Sequence, residues 1–527
     1  MRSRAVTGPR HVLVIGGGVA GLVAALDCVR AGIRVTLVEK ADRAGGSVAT
    51  ETVAGIRVDT GAESYATRQG TVRRLVDELG LSDSVVQPAA GGAWVRLPTG
   101  VSAPLPKAGL LGIPSNPLAE DVRRVIGWRG AIRAYLDRLR PVLTIGPERN
   151  LGDLVEKRMG KAVLDALVAP VTRGVYSADP TDLDVTRAAP GLNNALTKTG
   201  SLSGAVASLR AAAPAGSNVE GLRGGMYTLV EAILKELRLR EVEIILGVGV
   251  SELHRPSPDE DAPDAAEEPA QTERAAQWRA ILDDDRAVDA DYVLVATPES
   301  TAFRLLEPLS EEFAGEEPMQ TPTVELATLV LDAPELDNKP RGTGVLVAEA
   351  VAGQRASGRQ VTAKALTHST AKWQWLADEA ASGHPHRHVV RLSFGRLGQP
   401  NPSLELDDDA LRALAVSDAA EILGLALDER QVVGFARTRW VGTLPGAAIG
   451  QRERAQRLRD AAIGIGEIDV TGGWLSGTGL ASVVPDALAA SARIRQLVVA
   501  AYRAERAASD PHTRTSMNDT SPDANTP

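Results

Sequence analysis

Three glycines and one acidic residue near the N-terminus have the spacing of a dinucleotide-binding motif. Gly16, Gly18 and Gly21 follow the apolar run 11–15 and open a segment with helical periodicity. The first glycine allows a tight turn, the second allows a phosphate to approach the backbone, and the third allows helix and strand to pack closely. Glu39 ends the next apolar run, where a carboxylate can bind ribose hydroxyls and repels a 2'-phosphate. The pattern predicts NAD or FAD and disfavours NADP.

A second glycine-rich stretch separates these two cofactors. Residues 41–50 read ADRAGGSVAT, and residues 58–64 read VDTGAES. Together they resemble the second signature of the flavin amine oxidase superfamily, in which an Arg-x-Gly-Gly turn and an Asp-x-Gly-x-x-Ser segment lie along FAD. A dinucleotide that runs through its domain needs close backbone approach there, which glycine permits. The resemblance implies that FAD contacts Gly16, Gly17, Gly18, Val19, Ala20, Gly21, Glu39, Lys40, Arg43, Gly46, Ser47, Gly61, Ala62, Glu63 and Ser64.

Three later segments fit the same cofactor by resemblance. LGVGVSEL, at 246–253, places Val250 beside the adenine through its backbone, and VLVATP, at 293–298, returns to the nucleotide. In WLSGTGL, at 474–480, a glycine turn precedes a helix. A helix N-terminus offers free amides and the positive end of a dipole to the pyrimidine edge of a flavin. The further residues implied to bind FAD are Val250, Trp440, Thr478, Gly479 and Leu480.

From residue 11 to 503 the chain resembles the protoporphyrinogen/coproporphyrinogen oxidase family, and most of all its bacterial coproporphyrinogen III oxidases. PVTRGVYSADPTDLDV, at 170–185, resembles the family's Gly-Val-Tyr-x-x-Asp-Pro stretch, whose glycine, here Gly174, faces the porphyrinogen. GLRGGMYTLVEAI, at 221–233, and RWVGTLPGAAIG, at 439–450, resemble two further stretches. The resemblance implies six-electron oxidation of coproporphyrinogen III in haem biosynthesis, with FAD carrying the redox chemistry and oxygen reduced to peroxide. No catalytic acid or base is required, so none is predicted.

The chain departs from this family at several positions. It has Pro445-Gly446-Ala447 where the family usually reads Pro-Gln-Tyr, and Trp94 where plant-type members place an arginine for a substrate carboxylate. A carboxylate-bearing substrate calls for cations at the mouth of its pocket. The candidates by neighbourhood are Arg68, Arg96, Arg173 and Arg223, and the predicted substrate-binding set is Gly174, Arg68 and Trp94. His384, His386 and His388 have no cysteine or acidic partner pattern, so we assign them to a surface loop and predict no metal site.

These residues require an α/β fold with a Rossmann-type FAD-binding domain assembled from discontinuous segments, a mixed α+β substrate domain and a helical lobe. Strands are predicted at 11–15, 34–38, 291–296 and 469–473. The predicted FAD-binding segments are 11–90, 220–300 and 435–503; the helical lobe is 91–219, the substrate domain 301–434, a flexible arm 1–10 and a disordered tail 504–527. The acidic, proline-rich stretch 255–277 is predicted to be an enlarged hairpin loop.

Composition sets outer limits on function. The 527 residues are 44% hydrophobic and 24% charged, as in ordinary globular proteins. A net charge of -9 gives no basic footprint for nucleic acid. Cys28 is the only cysteine, which excludes an internal disulfide and favours a reducing cytoplasm. No membrane-spanning segment is predicted, whereas peripheral membrane contact and oligomeric state stay open.

Several alternative functions share these motifs. A protoporphyrinogen IX oxidase is the nearest, followed by a flavin amine oxidase or a carotene-type desaturase. The chain has no paired aromatic residues near 477–480 that could form an amine cage, which argues against the amine oxidases. A non-catalytic escort-type protein on the same scaffold is the alternative from another class, and the intact Glu39 and Gly477–Leu480 argue against it.

Overall fold

The strands and helices were defined in a computed structural model that describes residues 9–141, 146, 148–176, 178–212, 219–256, 276–349, 359–442, 448–477 and 479–508. The strands are β1 His11–Ile15, β2 Arg34–Glu39, β3 Thr50–Val53, β4 Ile56–Asp59, β5 Tyr65–Ala66, β6 Val85–Val86, β7 Ala93–Arg96, β8 Ser102–Pro104, β9 Gly109–Leu110, β10 Ile113–Pro114, β11 Val219–Leu222, β12 Glu243–Leu246, β13 Val250–His254, β14 Trp278–Leu282, β15 Ala287–Ala290, β16 Tyr292–Val295, β17 Val324–Asp332, β18 Gly344–Val347, β19 Ala365–His368, β20 Arg387–Phe394, β21 Val432–Trp440 and β22 Ile468–Val470.

The α-helices are α1 Val19–Arg30, α2 Thr71–Glu78, α3 Glu120–Tyr135, α4 Leu151–Met159, α5 Lys161–Val163, α6 Ala169–Tyr176, α7 Val185–Ala188, α8 Leu192–Thr199, α9 Leu202–Ala212, α10 Tyr227–Leu239, α11 Glu299–Leu306, α12 Glu311–Ala314, α13 Ser369–Lys372, α14 Gln374–Gly383, α15 Asp408–Leu423, α16 Gln451–Ile465, α17 Gly473–Ser476 and α18 Leu480–Ala508. Short 3-10 helices lie at Arg68–Gly70, Ser82–Ser84, Leu136–Leu139, Pro180–Asp182, Glu307–Leu309, Pro334–Leu336, Pro402–Glu405 and Glu429–Gln431, and a π-helical turn at Leu164–Val168.

A five-stranded parallel sheet lies at the centre of the nucleotide-side region. Its order is β12-β2-β1-β16-β22, so the first two strands of the chain pair with strands more than 200 residues later. Apolar side chains of α1, α10 and α18 cover one face. Those of β14, α11 and α16 cover the other. Burial on both faces is the usual condition of a parallel sheet, and it confirms the predicted α/β fold class.

A mixed seven-stranded sheet forms the second layer, in the order β21-β17-β20-β19-β18-β7-β8. Helix α15 covers one face, where Leu329, Val345, Leu392 and Leu411 pack together. The other face carries Arg391, which donates to backbone carbonyls of the 59–61 segment of the first region. Residues 93–104, which the sequence places in the helical lobe, contribute two strands to this sheet.

Helices α3 to α9 form a third region around its own apolar core. Inside it, Asp137 and Arg158 form a buried ion pair, and Arg158 also donates to the Gly200 carbonyl at 2.8 Å. Both charges are therefore satisfied where water is excluded, as a buried pair requires. The region brings α6 against β18 of the mixed sheet.

The ends and insertions of the chain differ from expectation in detail. Arg10, assigned to a flexible arm, is only 2% exposed and contacts Tyr502 and Glu505, while residues 1–8 lie outside the described part. Helix α18 reaches Ala508 and so includes the start of the predicted tail. Strands β13 and β14 pair on either side of the acidic insertion, of which residues 257–275 lie outside the described residues. None of the helices described is both long and apolar enough to cross a membrane.

Candidate functional site

The three glycines of the dinucleotide-binding motif have different surroundings. A Cβ at Gly16, whose φ is 106°, would lie 2.6 Å from the Ala296 carbonyl oxygen, and one at Gly21 would lie 1.9 Å from the Gly16 carbonyl oxygen. At Gly18 no described atom lies within 4 Å of the same position. No side chain caps α1, which starts at Val19. The loop therefore leaves room and backbone amides at a helix N-terminus, which suits a pyrophosphate.

The acidic residue that ends β2 is fixed beside this loop. Glu39 Oε2 accepts a hydrogen bond from the Gly17 amide at 2.6 Å, and its Oε1 accepts one from the Ala41 amide at 2.8 Å. The start of β13 is adjacent, since the Val248 amide donates to the Glu39 carbonyl at 3.3 Å. Val250 is buried, and its carbonyl accepts from Arg304 at 2.7 Å. The residues predicted around the adenosine thus lie together.

Lys40 lies at the outer edge of the same group. Its side chain is 82% exposed and its Nζ lies 3.7 Å from an Asp283 carboxylate oxygen. A Cβ at Gly249 would come within 3.2 Å of Lys40 Cδ, so Lys40 does reach the predicted adenine segment. An exposed pair of this kind contributes little to stability.

The glycine turn at residues 43–46 packs directly against the dinucleotide-binding motif. The Gly45 amide donates to the Gly17 carbonyl at 2.8 Å, and a Cβ at Gly46 would lie 3.2 Å from Gly18 Cα. Arg43 lies in the same turn, with its guanidinium 6.0 Å from the centre of the Trp440 ring. Two segments that are separate in sequence are therefore one wall in space.

The third segment, 59–64, closes this wall. A Cβ at Gly61 would lie 1.8 Å from the Ser47 carbonyl oxygen, which accepts a hydrogen bond from the Ala62 amide at 3.0 Å. Trp440 Nε1 donates to the Thr60 carbonyl at 2.8 Å. Ser64 follows and is partly buried. Ser47, Gly61, Ala62 and Trp440, four of the residues predicted to bind FAD, thus lie together.

Glu63 is held by two cations that sequence reasoning did not identify. Lys372 Nζ donates to one carboxylate oxygen, and Arg391 lies 3.3 Å from the other. Burial alone would raise the pKa of Glu63, but these two charges outweigh it and lower the pKa to about 2. Lys372 is 309 residues away in sequence, and no local pattern marks it as a partner. Arg391 also donates to the Asp59 and Gly61 carbonyls, so this ion cluster fixes the segment.

Asp59, in the same segment, contacts the backbone of the stretch 221–228. Both of its carboxylate oxygens lie 3.0 Å from the Met226 amide, at the start of α10. Burial raises the pKa of Asp59 to about 6, against the opposing effects of the Met226 hydrogen bond and Arg391. A Cβ at Gly225 would lie 2.7 Å from Asp59 Oδ1. The glycine pair before Met226 therefore leaves space for this carboxylate.

The C-terminal glycine segment leads into α18. Gly479 has a φ of 92°, and Leu480 is buried at the start of the helix; Thr478 lies outside the described residues, as does 443–447. Arg68 donates to Ser482 Oγ at 2.8 Å. Burial raises the pKa of Tyr176 on α6, and the nearby charge of Arg68 opposes this. Arg68 therefore connects the predicted flavin edge with α6.

Gly174 lies on α6 against the mixed sheet. A Cβ there would come 2.5 Å from Leu346 Cδ2 on β18. Leu346 pairs in register with Val95 of β7, so both side chains point to the same face of the sheet. The wall that the family resemblance assigns to a porphyrinogen is thus built from a small residue and a branched aliphatic one.

The structure does not bring Trp94 to this wall, which corrects its assignment to the substrate. Trp94 pairs with Val345 and packs against the core under α15, so it lies on the opposite face from Leu346. Arg96 lies on that same opposite face, where it is 4% exposed and paired with Glu421 of α15. The expectation of a cation at the pocket mouth fails for Arg96 because strand alternation turns it away.

The remaining candidate residues, two arginines and the histidines, lie in separate parts of the molecule. Arg173 contacts Asp179 and Glu349 next to Gly174, whereas Arg223 is exposed in the turn after β11. His388 lies in β20 and not in the predicted surface loop. His386 and His388 each contact the Asp337 carboxylate, at 2.8 and 2.9 Å. Within the described residues no group of three or more His, Cys, Asp or Glu side chains could hold a metal ion.

The comparisons with known proteins agree with this cofactor geometry. The family described as flavin containing amine oxidoreductase matches residues 19–494. The coproporphyrinogen III oxidase of Mycobacterium tuberculosis is 29% identical over 505 residues, covering 94% of this chain and 99% of that protein. That of Bacillus subtilis is 25% identical over 502 residues, covering 92% and 97%. A solved structure from an Exiguobacterium species, assigned as a protoporphyrinogen oxidase, has a TM-score of 0.75 at 23% identity and covers 94% of this chain and 99% of its own, which shows the fold.

One continuous wall can hold a bound dinucleotide along its length. It consists of the loop at Gly18, the carboxylate of Glu39 and the glycines at 45, 46 and 61. The family match, at residues 19–494, includes every part of that wall that follows Gly18. The chain therefore belongs to the flavin containing amine oxidoreductase family, and it is an oxidoreductase with FAD as its cofactor.

Proposed function

We propose that this protein is an FAD-dependent oxidase that converts coproporphyrinogen III to coproporphyrin III in haem biosynthesis. The observation that carries the proposal is the position of Gly174. Its helix α6 touches the mixed sheet through Leu346, and its end at Tyr176 lies near Arg68, which contacts the start of α18. A flat, largely apolar macrocycle against Gly174 and Leu346 is thereby directed toward the predicted flavin edge. The two bacterial relatives above, which carry this activity in their names, support it over nearly the full chain.

The reaction removes six electrons and six protons in three rounds. Bound FAD supplies the redox chemistry two electrons at a time, with oxygen as final acceptor and hydrogen peroxide as product. The residues of this chain bind and orient the substrate: Gly174 and Leu346 provide a flat apolar wall, and Arg68 a cation at its edge. No side chain has to act as an acid or base, because protons leave through the pyrrole nitrogens to solvent. A cytoplasmic location belongs to the same proposal.

Protoporphyrinogen IX is the alternative substrate, and the two differ in charge. Coproporphyrinogen III carries four carboxylates, whereas protoporphyrinogen IX carries two. Arg173 is next to Gly174 in α6, and Arg68 lies near Tyr176 at the end of the same helix. Two cations beside the proposed wall support the more highly charged substrate.

The test is a comparison of rates on purified holoenzyme. We expect a yellow protein that consumes oxygen with both porphyrinogens, faster with coproporphyrinogen III, and that forms a fluorescent porphyrin and peroxide. Heat-denatured enzyme gives the background of spontaneous oxidation, and putrescine serves as the amine substrate. Absence of enzyme-dependent porphyrin from either porphyrinogen overturns the proposal, and turnover of putrescine alone assigns the chain to the amine oxidases.

A further inference from the structure

The second half of α3 and the 3-10 helix after it expose a row of large apolar side chains to solvent. The helix is interrupted at Gly127, whose φ is 68°, and then continues to Tyr135 and into the 3-10 helix Leu136–Leu139. Each member of the row lies three or four residues from another, the spacing that places side chains on one face of a helix. The row consists of Trp128, Ile132, Tyr135, Leu136 and Leu139, which are between 38% and 76% exposed.

The opposite side of this helix is built from small residues. Gly130, Ala131 and Ala134 are buried, and a Cβ at Gly130 would lie 3.1 Å from Ala162 Cβ of α5. The helix therefore buries its small side chains and exposes its large apolar ones, the reverse of the usual arrangement. Over a similar length, the next largest group of exposed apolar side chains in the described residues has three members, in α18. Exposed apolar side chains gathered in this way mark an interaction site.

Arginines surround the row. Residues 123–140 contain six arginines, at positions 123, 124, 129, 133, 138 and 140, whereas Asp137 is the only acidic residue among them. Asp137 is buried and paired with Arg158, so it does not offset the charge at the surface. The chain as a whole has a net charge of -9, and positive charge is therefore concentrated here on an acidic protein. The five apolar side chains and these arginines together form the α3 surface.

Two of the arginines lie directly against the aromatic members of the row. The guanidinium carbon of Arg123 lies 4.1 Å from the centre of the Trp128 ring, and that of Arg138 lies 5.1 Å from the centre of the Tyr135 ring. Such cation–π contacts hold the charge beside the apolar side chains without neutralising it. Arg129 and Arg138 are exposed, and neither meets a carboxylate in the described part of the chain. Their charge is therefore available to an anionic partner.

The combination of apolar side chains and arginines indicates the kind of partner. A bilayer with anionic headgroups accepts both at once, because Trp and Tyr lie among headgroups, aliphatic side chains reach the acyl boundary, and guanidinium groups bind phosphates through paired hydrogen bonds. A second copy of the chain docked through the same surface would place arginines against arginines, since a twofold interface contacts itself. The charge therefore favours an anionic bilayer over self-association.

We propose that the α3 surface docks onto the headgroup region of an anionic phospholipid bilayer. Trp128, Ile132 and Leu139 insert between the headgroups, and Arg129 and Arg138 bind the phosphates. The attachment is peripheral and weakens with salt, because exposed charges supply part of it. The inference goes beyond the proposed oxidase function and does not depend on it.

Flotation of the holoenzyme with lipid vesicles tests the proposal. One set of vesicles is phosphatidylcholine alone, and the other contains about one third phosphatidylglycerol, which is anionic. We expect binding to the anionic vesicles to be about tenfold stronger or more, and to weaken with salt. Ile132→Ser/Leu139→Ser and Arg129→Gln/Arg138→Gln are each expected to weaken it about tenfold or more. All four side chains are exposed, so FAD content and melting temperature should match those of wild type.

Leu239→Ser is the matched control. Leu239 is 67% exposed and lies between Arg238 and Arg240, but it is the only large apolar side chain that α10 exposes, and all of α10 is described. Vesicle binding by this variant should equal that of wild type. Equal binding of wild type to neutral and anionic vesicles, or unchanged binding by either double variant, overturns the proposal. A wild type that ignores vesicles but forms a dimer that Ile132→Ser/Leu139→Ser dissociates, as measured by light scattering, overturns it in favour of a second copy.

Discussion

The nucleotide loop and the substrate wall both depend on a glycine, but the two glycines are restricted by different neighbours. A Cβ at Gly21 would collide with a backbone oxygen at 1.9 Å, whereas a Cβ at Gly174 would collide with the far end of the Leu346 side chain at 2.5 Å. Backbone cannot move without disrupting β1 and α1, while a leucine can change rotamer. The cofactor site is therefore fixed by the chain trace, and the substrate wall can be adjusted by side chains.

The largest effect is expected at Gly21. Gly21→Ala forces the start of α1 away from Gly16, so we expect little folded holoenzyme, with FAD content in the purified protein reduced to near zero. Gly18→Ala has open space in the protein itself, and only bound pyrophosphate would meet the new methyl group. It should melt like wild type as apoprotein but bind FAD at least tenfold more weakly, as measured by titration of the apoprotein.

This pair of variants tests whether the open space at Gly18 is where the pyrophosphate binds. If Gly18→Ala binds FAD as tightly as wild type, the pyrophosphate does not lie at that residue. If its apoprotein has a melting temperature as low as that of Gly21→Ala, the new methyl group contacts the protein itself and the space at Gly18 is not open.

The next largest effect is expected at Glu63, which joins the two regions. Glu63→Ala leaves Lys372 and Arg391 buried without their carboxylate, and breaking a buried pair in this way costs about 3–5 kcal/mol. We expect a clear drop in melting temperature and, because the 59–64 segment loses its support, weaker FAD binding. Glu78→Ala removes an exposed pair with Arg30 and should cost less than about 1 kcal/mol.

The pH dependence of this contribution has a defined sign. The pKa of Glu63 is lowered in the folded state to about 2, so its stabilisation is complete above about 4.5 and is lost as pH falls toward 2. The difference in melting temperature between wild type and Glu63→Ala should shrink over that interval. A difference that stays constant down to pH 3 would contradict the ion cluster.

Local sequence predicted the cofactor half well because its elements are continuous. The strand predicted at 291–296 is observed at Tyr292–Val295, and the one predicted at 469–473 is observed at Ile468–Val470, where Gly473 instead begins α17. The substrate half depends on which face of a strand each residue takes. Trp94 and Val95 are neighbours in sequence yet lie on opposite faces, and no motif indicated which one faces α6.

The long-range ion clusters could not be predicted from the sequence for a related reason. Glu63 meets Lys372 and Arg391, and Glu349 meets Arg173 and Arg396, all from elements far apart along the chain. Arginines are abundant in this sequence, and their partners could be identified only from the structure.

A smaller effect is expected at Gly174, where the comparison can be tested by compensation. Gly174→Ala displaces Leu346, and overpacking of this kind costs about 1–3 kcal/mol. We expect kcat/KM for coproporphyrinogen III to fall about tenfold with unchanged FAD affinity. In Gly174→Ala/Leu346→Ala the methyl group has room, so part of the activity should return. Strict additivity of the two changes would show that they do not act on the same contact.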